Sequence, residues 1–168
     1  MHEKQQSNSI EWYTPKEIFE ELRFPEFDLD PASPGADKVP WLPAKKHYTK
    51  SDNGLRLPWT GFVWLNPPFG RKHNVTRWLE KMENHRNGIV LLPARTETDW
   101  FQYYCRRADA VAFRWGRINF VDENMKRQKG NVIGSAFFAF GKIAKTCLEF
   151  SPYSIFVEVC KAGGRSAR

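Results

Sequence analysis

The sequence predicts an α/β fold, with a mixed but mostly parallel sheet, helices on both of its faces and an antiparallel hairpin toward the C-terminal end. Three observations carry this expectation. Short, continuous apolar runs such as "FVWL" and "GIVLL" have the make-up of strands buried on both faces. They alternate with stretches whose apolar residues recur at helical spacing. Two further apolar runs late in the chain flank a short basic loop, as the strands of a hairpin do.

Residues 1–9 are polar and are expected to form a flexible arm. "WYTPKEIFEEL" opens a helix: Thr14 suits the N-cap, Pro15 the first helical position, and Glu17 stands three residues after Thr14 as in a capping box. Ile18, Phe19 and Leu22 make its apolar stripe. "FDLDPAS" is a short strand ended by Pro31. The stretch 34–54 is rich in Pro, Gly and Lys and reads as loop with at most a short strand. "GFVWL" is the next strand, and it must stop at Pro67 and Pro68, which have no N–H for a ladder.

"VTRWLEKMENHR" is a helix with Val75, Trp78, Leu79 and Met82 on one face and a stop near Asn87 and Gly88. "GIVLLPA" is a third buried strand, "TDWFQYYCRRA" a helix capped by Thr98, and "AVAFRW" a strand. "RINFVDE" and "GSAFFAFG" are expected to pair around the loop "NMKRQKGN", and "SIFVEV" to close the sheet. Residues 161–168 read as a basic tail.

A chain of 168 residues suffices for one core, and residues 10–160 are expected to form a single domain. Hydrophobic residues make up 41% and aromatic residues 15%, which excludes a disordered chain. The net charge of +7 favours an anionic partner, of which nucleic acid is the commonest. No apolar run reaches the roughly 20 residues of a membrane-spanning helix, and the polar start has no secretory h-region. A cytoplasmic protein is expected. Cys105, Cys147 and Cys160 lack CxxC spacing and read as reduced thiols. The four histidines show no ligand spacing, so no metal is expected.

The end of the "FVWL" strand holds the most specific chemistry. Asn66 offers a side-chain carbonyl oxygen and Pro67 a backbone carbonyl, two acceptors suited to one exocyclic amino group. An aromatic amine is a poor nucleophile because its lone pair is delocalised into the ring. Fixed acceptors on both hydrogens draw the nitrogen toward a tetrahedral shape and aim the lone pair at an electrophile. Phe69 supplies a stacking face, and Pro67 and Pro68 hold the acceptors still. Arg71 and Lys72 follow as candidate phosphate contacts. Asn-Pro-Pro is also a common turn starter; its place after a buried strand favours the functional reading.

These residues resemble those of amino-methyltransferases that use S-adenosylmethionine. "WYTPKEIFEEL", "FDLDPAS", "SDNGLRLPW", "FVWLNPPFG", "GIVLLPARTETDWF", "GRINF" and "GSAFFAFG" resemble, in order, the landmarks of the small phage and prophage DNA N-6-adenine methyltransferases. The resemblance covers about residues 11–140. It implies a compact Rossmann-like methyltransferase with S-adenosylmethionine as cofactor, double-stranded DNA as partner, and a monomer or weak dimer in the host cytoplasm. It places the catalytic tetrapeptide on Asn66, Pro67, Pro68 and Phe69. It places cofactor contacts on Trp12, Thr14, Pro15, Asp30, Pro31, Ala32 and Asp52. The chain departs from the broad pattern in its turn after the first strand, "DPASPGADKV", where Gly35 stands alone.

A chain of this length leaves no room for a separate recognition domain, so target reading is expected between Arg114 and Ser135. Arg114, Arg117 and Asn119 carry groups that read base edges. Lys126, Arg127 and Lys129 are candidate backbone contacts; the same loop also reads as a solvated hairpin tip. Three functions stay in play: methylation of DNA adenine at N6, methylation of an RNA adenine or protein glutamine, and nucleic-acid binding by a catalytically degenerate fold.

Overall fold

The structure, a computed structural model, describes residues 12–22, 26–69, 74–128, 132–151 and 154–159. The expected arm and tail, together with Arg71, Lys72, Lys129 and Cys160, lie outside the described residues. The strands are β1 (Phe27–Asp30), β2 (Ala44–His47), β3 (Val63–Leu65), β4 (Gly88–Pro93), β5 (Ala110–Arg114), β6 (Ser135–Phe140) and β7 (Ser154–Glu158). The helices are α1 (Lys16–Leu22), α2 (Val75–His85), α3 (Asp99–Cys105) and α4 (Lys142–Glu149).

The strands form one sheet in the order β2-β1-β3-β4-β6-β5-β7. β2, β1, β3 and β4 are parallel. β6 runs antiparallel to both β4 and β5, so β5 points the same way as β4. The mixed, mostly parallel sheet and its covered faces follow the Rossmann-like expectation. Ile18, Phe19 and Leu22 of α1 and Ala144, Cys147 and Leu148 of α4 pack on one face. Leu79 and Met82 of α2 and Phe101 and Tyr104 of α3 pack on the other. Sheet residues such as Trp64, Leu65, Val90 and Phe138 are fully buried between them, so the apolar runs need no alternation.

The hairpin differs from expectation. The partner of β6 is β5, "AVAFR", paired from Ala110↔Ala139 to Phe113↔Ala136, and "RINFVDE" is not a strand. The reason is polar. Asp122 accepts from the N–H groups of Asn124 and Lys126 at 2.9 Å each and from Gln128 Nε2 at 2.5 Å, which curls the chain into a turn. Val121 exchanges backbone bonds with Tyr13 (2.8 and 3.0 Å), so the segment runs to the start of the chain instead of along the sheet. Helix α4 was not foreseen: its stripe of Ala144, Cys147 and Leu148 fills barely two turns, and Gly141 before it gives no side-chain cap.

β1 and β3 are neighbours, yet the chain leaves β1 for β2 on its other side. Their C-terminal ends therefore flank the point where the winding reverses, where such sheets bind ligands. Asp30 ends β1, and Asn66 follows the last residue of β3.

Candidate active site

A cleft of about 630 Å³ opens at these strand ends. Trp12, Thr14, Asp30, Pro31, Ala32 and the whole tetrapeptide Asn66, Pro67, Pro68 and Phe69 line it. Asn74, Arg77 and Trp78 of the α2 start, Thr49 to Leu55 in part, and Glu123 complete the wall. Nine of the eleven residues singled out for catalysis and cofactor thus meet at one cavity; Pro15 and Asp52 are the two that do not line it.

Asn66 is held from the far end of the sequence. Its Nδ2 donates to the Trp12 carbonyl at 3.0 Å and to Thr14 Oγ1 at 3.3 Å. A carbonyl only accepts, so the amide orientation is fixed and Oδ1 is left as the acceptor of the side chain. The Trp12–Thr14 segment is itself braced, by Val121 through Tyr13 and by Trp41 Nε1 on the Thr14 carbonyl at 2.9 Å. Pro15 does its work outside the cavity, where its carbonyl accepts from Ile18 N–H at 3.1 Å in the first turn of α1. Phe69 is half-buried and rests on the apolar cluster beneath α2.

Asp30 is buried, 3% exposed, at the cavity floor. Its Oδ1 accepts from Ala32 N–H at 3.0 Å, and the nearby Ser33 side chain also favours its charged form. Burial disfavours the charged form and pushes the carboxyl up to about 7, against their weaker pull. The opposite holds for Asp52. It is exposed, and its carboxylate takes the hydroxyl and N–H of Thr49 (2.6 and 2.7 Å), which hold it below the usual range. It shapes the turn whose Thr49, Lys50 and Asn53 face the cleft and does not face it itself.

The glycine missing from the turn after β1 is supplied by another segment. At Gly54 a Cβ would lie 2.9 Å from Pro31 C and closer still to the Pro31 oxygen. The two cavity walls therefore meet backbone to backbone, which only glycine permits. Lys81 of α2 fixes the same wall, donating to the carbonyls of Gly54 (3.1 Å), Leu55 (2.8 Å) and Leu57 (2.5 Å). Trp59 Nε1 adds a bond to the Gly54 carbonyl at 2.8 Å. Gly54→Ala is expected to prise Pro31 away from this wall and lower stability by about 1–3 kcal/mol, as overpacking does. Chemical denaturation checks it; an unchanged midpoint would mean that the backbone gives way freely.

The DNA N-6-adenine-methyltransferase (Dam) family matches residues 2–162, nearly the whole chain and with it every wall of this cleft. The chain belongs to that family. It is similar to the DNA N-6-adenine-methyltransferase of Escherichia phage T1, 29% identical over 170 residues that cover 89% of this chain and 70% of the relative. No solved structure matches it. Membership in the Dam family assigns the chain to DNA adenine methylation.

The residues expected to meet DNA divide in the structure of this Dam-family chain. Arg114 turns inward, its guanidinium bidentate on Glu21 of α1 at 2.6 and 2.8 Å, with a third bond to the Trp115 carbonyl. Its side chain is 13% exposed, so it braces the sheet and does not offer its fork to a base. Arg127 likewise clasps Glu17 at 2.5 and 2.9 Å, although on the surface. Arg117 and Lys126 are exposed, and Asn119 is half-buried. The ion pairs join α1 to the end of β5 and to the segment that follows it. Together with the Tyr13–Val121 bridge they bring that segment to the start of the described chain, with Glu123 at the cleft.

Among the described residues no cluster of His, Cys, Asp and Glu has a metal-holding arrangement, and no helix is long and apolar enough to cross a membrane. Cys105 and Cys147 are free thiols, both pushed up to about 11 by burial. Sequence reasoning did not find Gly54, Lys81, Trp64 or Glu123. Gly54 stood inside the quoted landmark "SDNGLRLPW", but a single glycine in a loop does not announce a close approach.

Proposed function

We propose that the chain transfers a methyl group from S-adenosylmethionine to N6 of an adenine turned out of double-stranded DNA, with Asn66, Pro67 and Phe69 at the reacting base. The observation that carries this reading is the fixed amide of Asn66. Trp12 and Thr14 take its nitrogen, which leaves Oδ1 as the acceptor of a side chain that lines the cavity next to Pro67. Those two oxygens receive the two N6 hydrogens, and Phe69 receives the base face.

The cavity residues fit the cofactor. Its volume lies within the range of small-molecule sites. Trp64, on its wall, has the one buried side-chain polar atom without a partner among the described residues, Nε1, a donor suited to a polar ligand. Asp30 offers a carboxyl to a cationic group, and Trp12 and Trp78 offer apolar faces to a ring. When bound, the cofactor supplies an electrophilic methyl on a sulfonium. The chain's own part is to hold the amine, exclude water and align the nitrogen lone pair, with no strong base at N6. The proton left on the methylated nitrogen then departs to solvent.

The turn 122–127 is the part of the chain best placed to read a base beside the target. Asp122 closes it, Arg127 pins it to α1, and Glu123 faces the cavity. Labelled cofactor with unmodified duplex DNA, read out by the sequence context of N6-methyladenine, tests the whole reading. Methylation is expected in a short context that relaxes when residues 122–128 become a Gly-Ser linker. Folded, cofactor-binding protein that leaves every DNA unmethylated would sink the reaction, and an unchanged context would move target reading elsewhere.

A further inference from the structure

Trp64 sits in the middle of β3, its ring locked between Phe19 (centroids 4.9 Å apart), Phe27 (5.6 Å) and Phe137 (6.5 Å). The side chain is fully buried, and Nε1 has no hydrogen-bond partner among the described residues. A donor taken from water and given no acceptor is costly, and folded proteins seldom keep one without a reason. Trp64 lines the cleft, so the acceptor it lacks can come from a ligand bound there.

The register of the sheet sets a second group beside it. Leu29 of β1 is paired with Val63 of β3, and both pack on the face covered by α2 and α3. Side chains alternate along a strand, so the next residues, Asp30 and Trp64, turn to the other face on neighbouring strands, which lie about 4.8 Å apart. Trp64 accordingly packs with α1. Asp30 is buried and lines the same cleft. An acceptor suited to a cation and a donor suited to an anion thus stand one strand apart. Thr14, also buried on the cleft wall, adds a second donor: its Oγ1 accepts from Asn66 Nδ2, which leaves its own hydroxyl hydrogen to give.

We propose that Trp64 binds the cofactor, its Nε1–H donating to the carboxylate of the amino-acid head of S-adenosylmethionine while Asp30 takes the ammonium on the same carbon. The inference rests on the cleft being the S-adenosylmethionine site. The carboxylate is the one anionic group of that molecule, and a hydrogen bond to a charged acceptor is roughly twice as strong as a neutral one. A carboxylate drawn against an apolar wall must find donors there, and the cation beside it must find an acceptor. Trp64, Thr14 and Asp30 supply both. Lys50 and Arg77 line the cleft as well, but both are exposed. A carboxylate paired with either of them instead would leave Trp64 Nε1 unmet.

Trp64→Phe removes the donor and keeps an aromatic ring in the core. Calorimetry on both proteins compares S-adenosylmethionine with its decarboxylated analogue, which retains the adenosine, the sulfonium and the amine. The unaltered protein is expected to bind the analogue about 10- to 100-fold more weakly, the loss typical of hydrogen bonds to a charged group. The phenylalanine variant is expected to bind S-adenosylmethionine about 10-fold more weakly than the parent and the analogue nearly as well as the parent does, so most of the discrimination disappears. In the unaltered protein, the Trp64 indole N–H proton should move downfield on saturation with S-adenosylmethionine and far less with the analogue, a readout that does not depend on the variant folding. A variant that loses affinity for both ligands alike or for neither, or an indole proton indifferent to the carboxylate, overturns the assignment and leaves the cofactor reading standing. No binding of S-adenosylmethionine by the unaltered protein overturns the cofactor reading itself, and this inference with it.

Discussion

Asn66→Ala is expected to lower methyl transfer by about 10²–10³-fold, the loss seen when one preorganised polar contact to a transition state is removed. The fold should survive, because the side chain belongs to neither apolar core. The structure adds a second consequence. Nδ2 of Asn66 also secures the Trp12 carbonyl and Thr14 Oγ1, so the alanine variant frees part of the cavity wall. Cofactor affinity should therefore fall too, but by far less than the rate. Asn66→Asp separates the two roles, since it keeps an acceptor and cannot donate to Trp12. Single-turnover rates with saturating cofactor, set beside cofactor titrations, measure both. Near-wild-type turnover in the alanine variant would remove Asn66 from the chemistry.

Asp30→Asn should make the protein more stable and its cofactor binding worse. The sign follows from the raised carboxyl. Asp30 titrates near its ordinary value of 3.8 when unfolded and at about 7 when folded. Between those values the folded state holds a proton that the unfolded state has lost, so stability falls as pH rises from about 4 to 7 and levels off above. The full shift is on the order of 4 kcal/mol at pH 8. Asparagine removes that dependence, and its amide can still accept from Ala32 N–H. Melting temperatures should match the parent near pH 4 and exceed it by several degrees at pH 8. Loss of a carboxylate that faces a cation should weaken S-adenosylmethionine binding on the order of 10- to 100-fold. A stability gain that is the same at every pH would mean that Asp30 is not a buried acid.

β3 and β4 were legible because each is an unbroken apolar run, and β1, β3 and β4 each end at or near a proline, Pro31, Pro67 and Pro93, whereas the polar edge strand β2, "AKKH", gave little sign of itself. Helices α1 to α3 were legible from apolar spacing, and α3 also from Thr98, which stands at its N-cap. The cap of α2, where Asn74 accepts from Thr76 N–H at 3.2 Å, was not singled out. The partner of β6 was not. "AVAFR" and "RINFV" are both short and apolar in part, and choosing between them depends on where Asp122 finds its donors. Arg114 and Arg127 show the same limit. An arginine in a basic stretch reads as a DNA contact until Glu21 and Glu17, some ninety residues or more away in sequence, are seen to hold them.

The sequence by itself determined the chemistry: an amide and a proline carbonyl at the end of a buried strand, an aromatic ring after them, and a second polar strand end in Asp30. Those are local facts, set by residue identity and by what proline and an apolar run force on the backbone. The tertiary structure alone decided the state of each group. Asn66 is oriented by a carbonyl 54 residues earlier. Asp30 is neutral-prone because the packing around the end of β1 excludes water from it. Asp52 turns out of the cleft and Gly54 into its wall. Hydrogen-bond direction and desolvation depend on what lies across space, and a pattern along one chain does not contain them until the chain is closed.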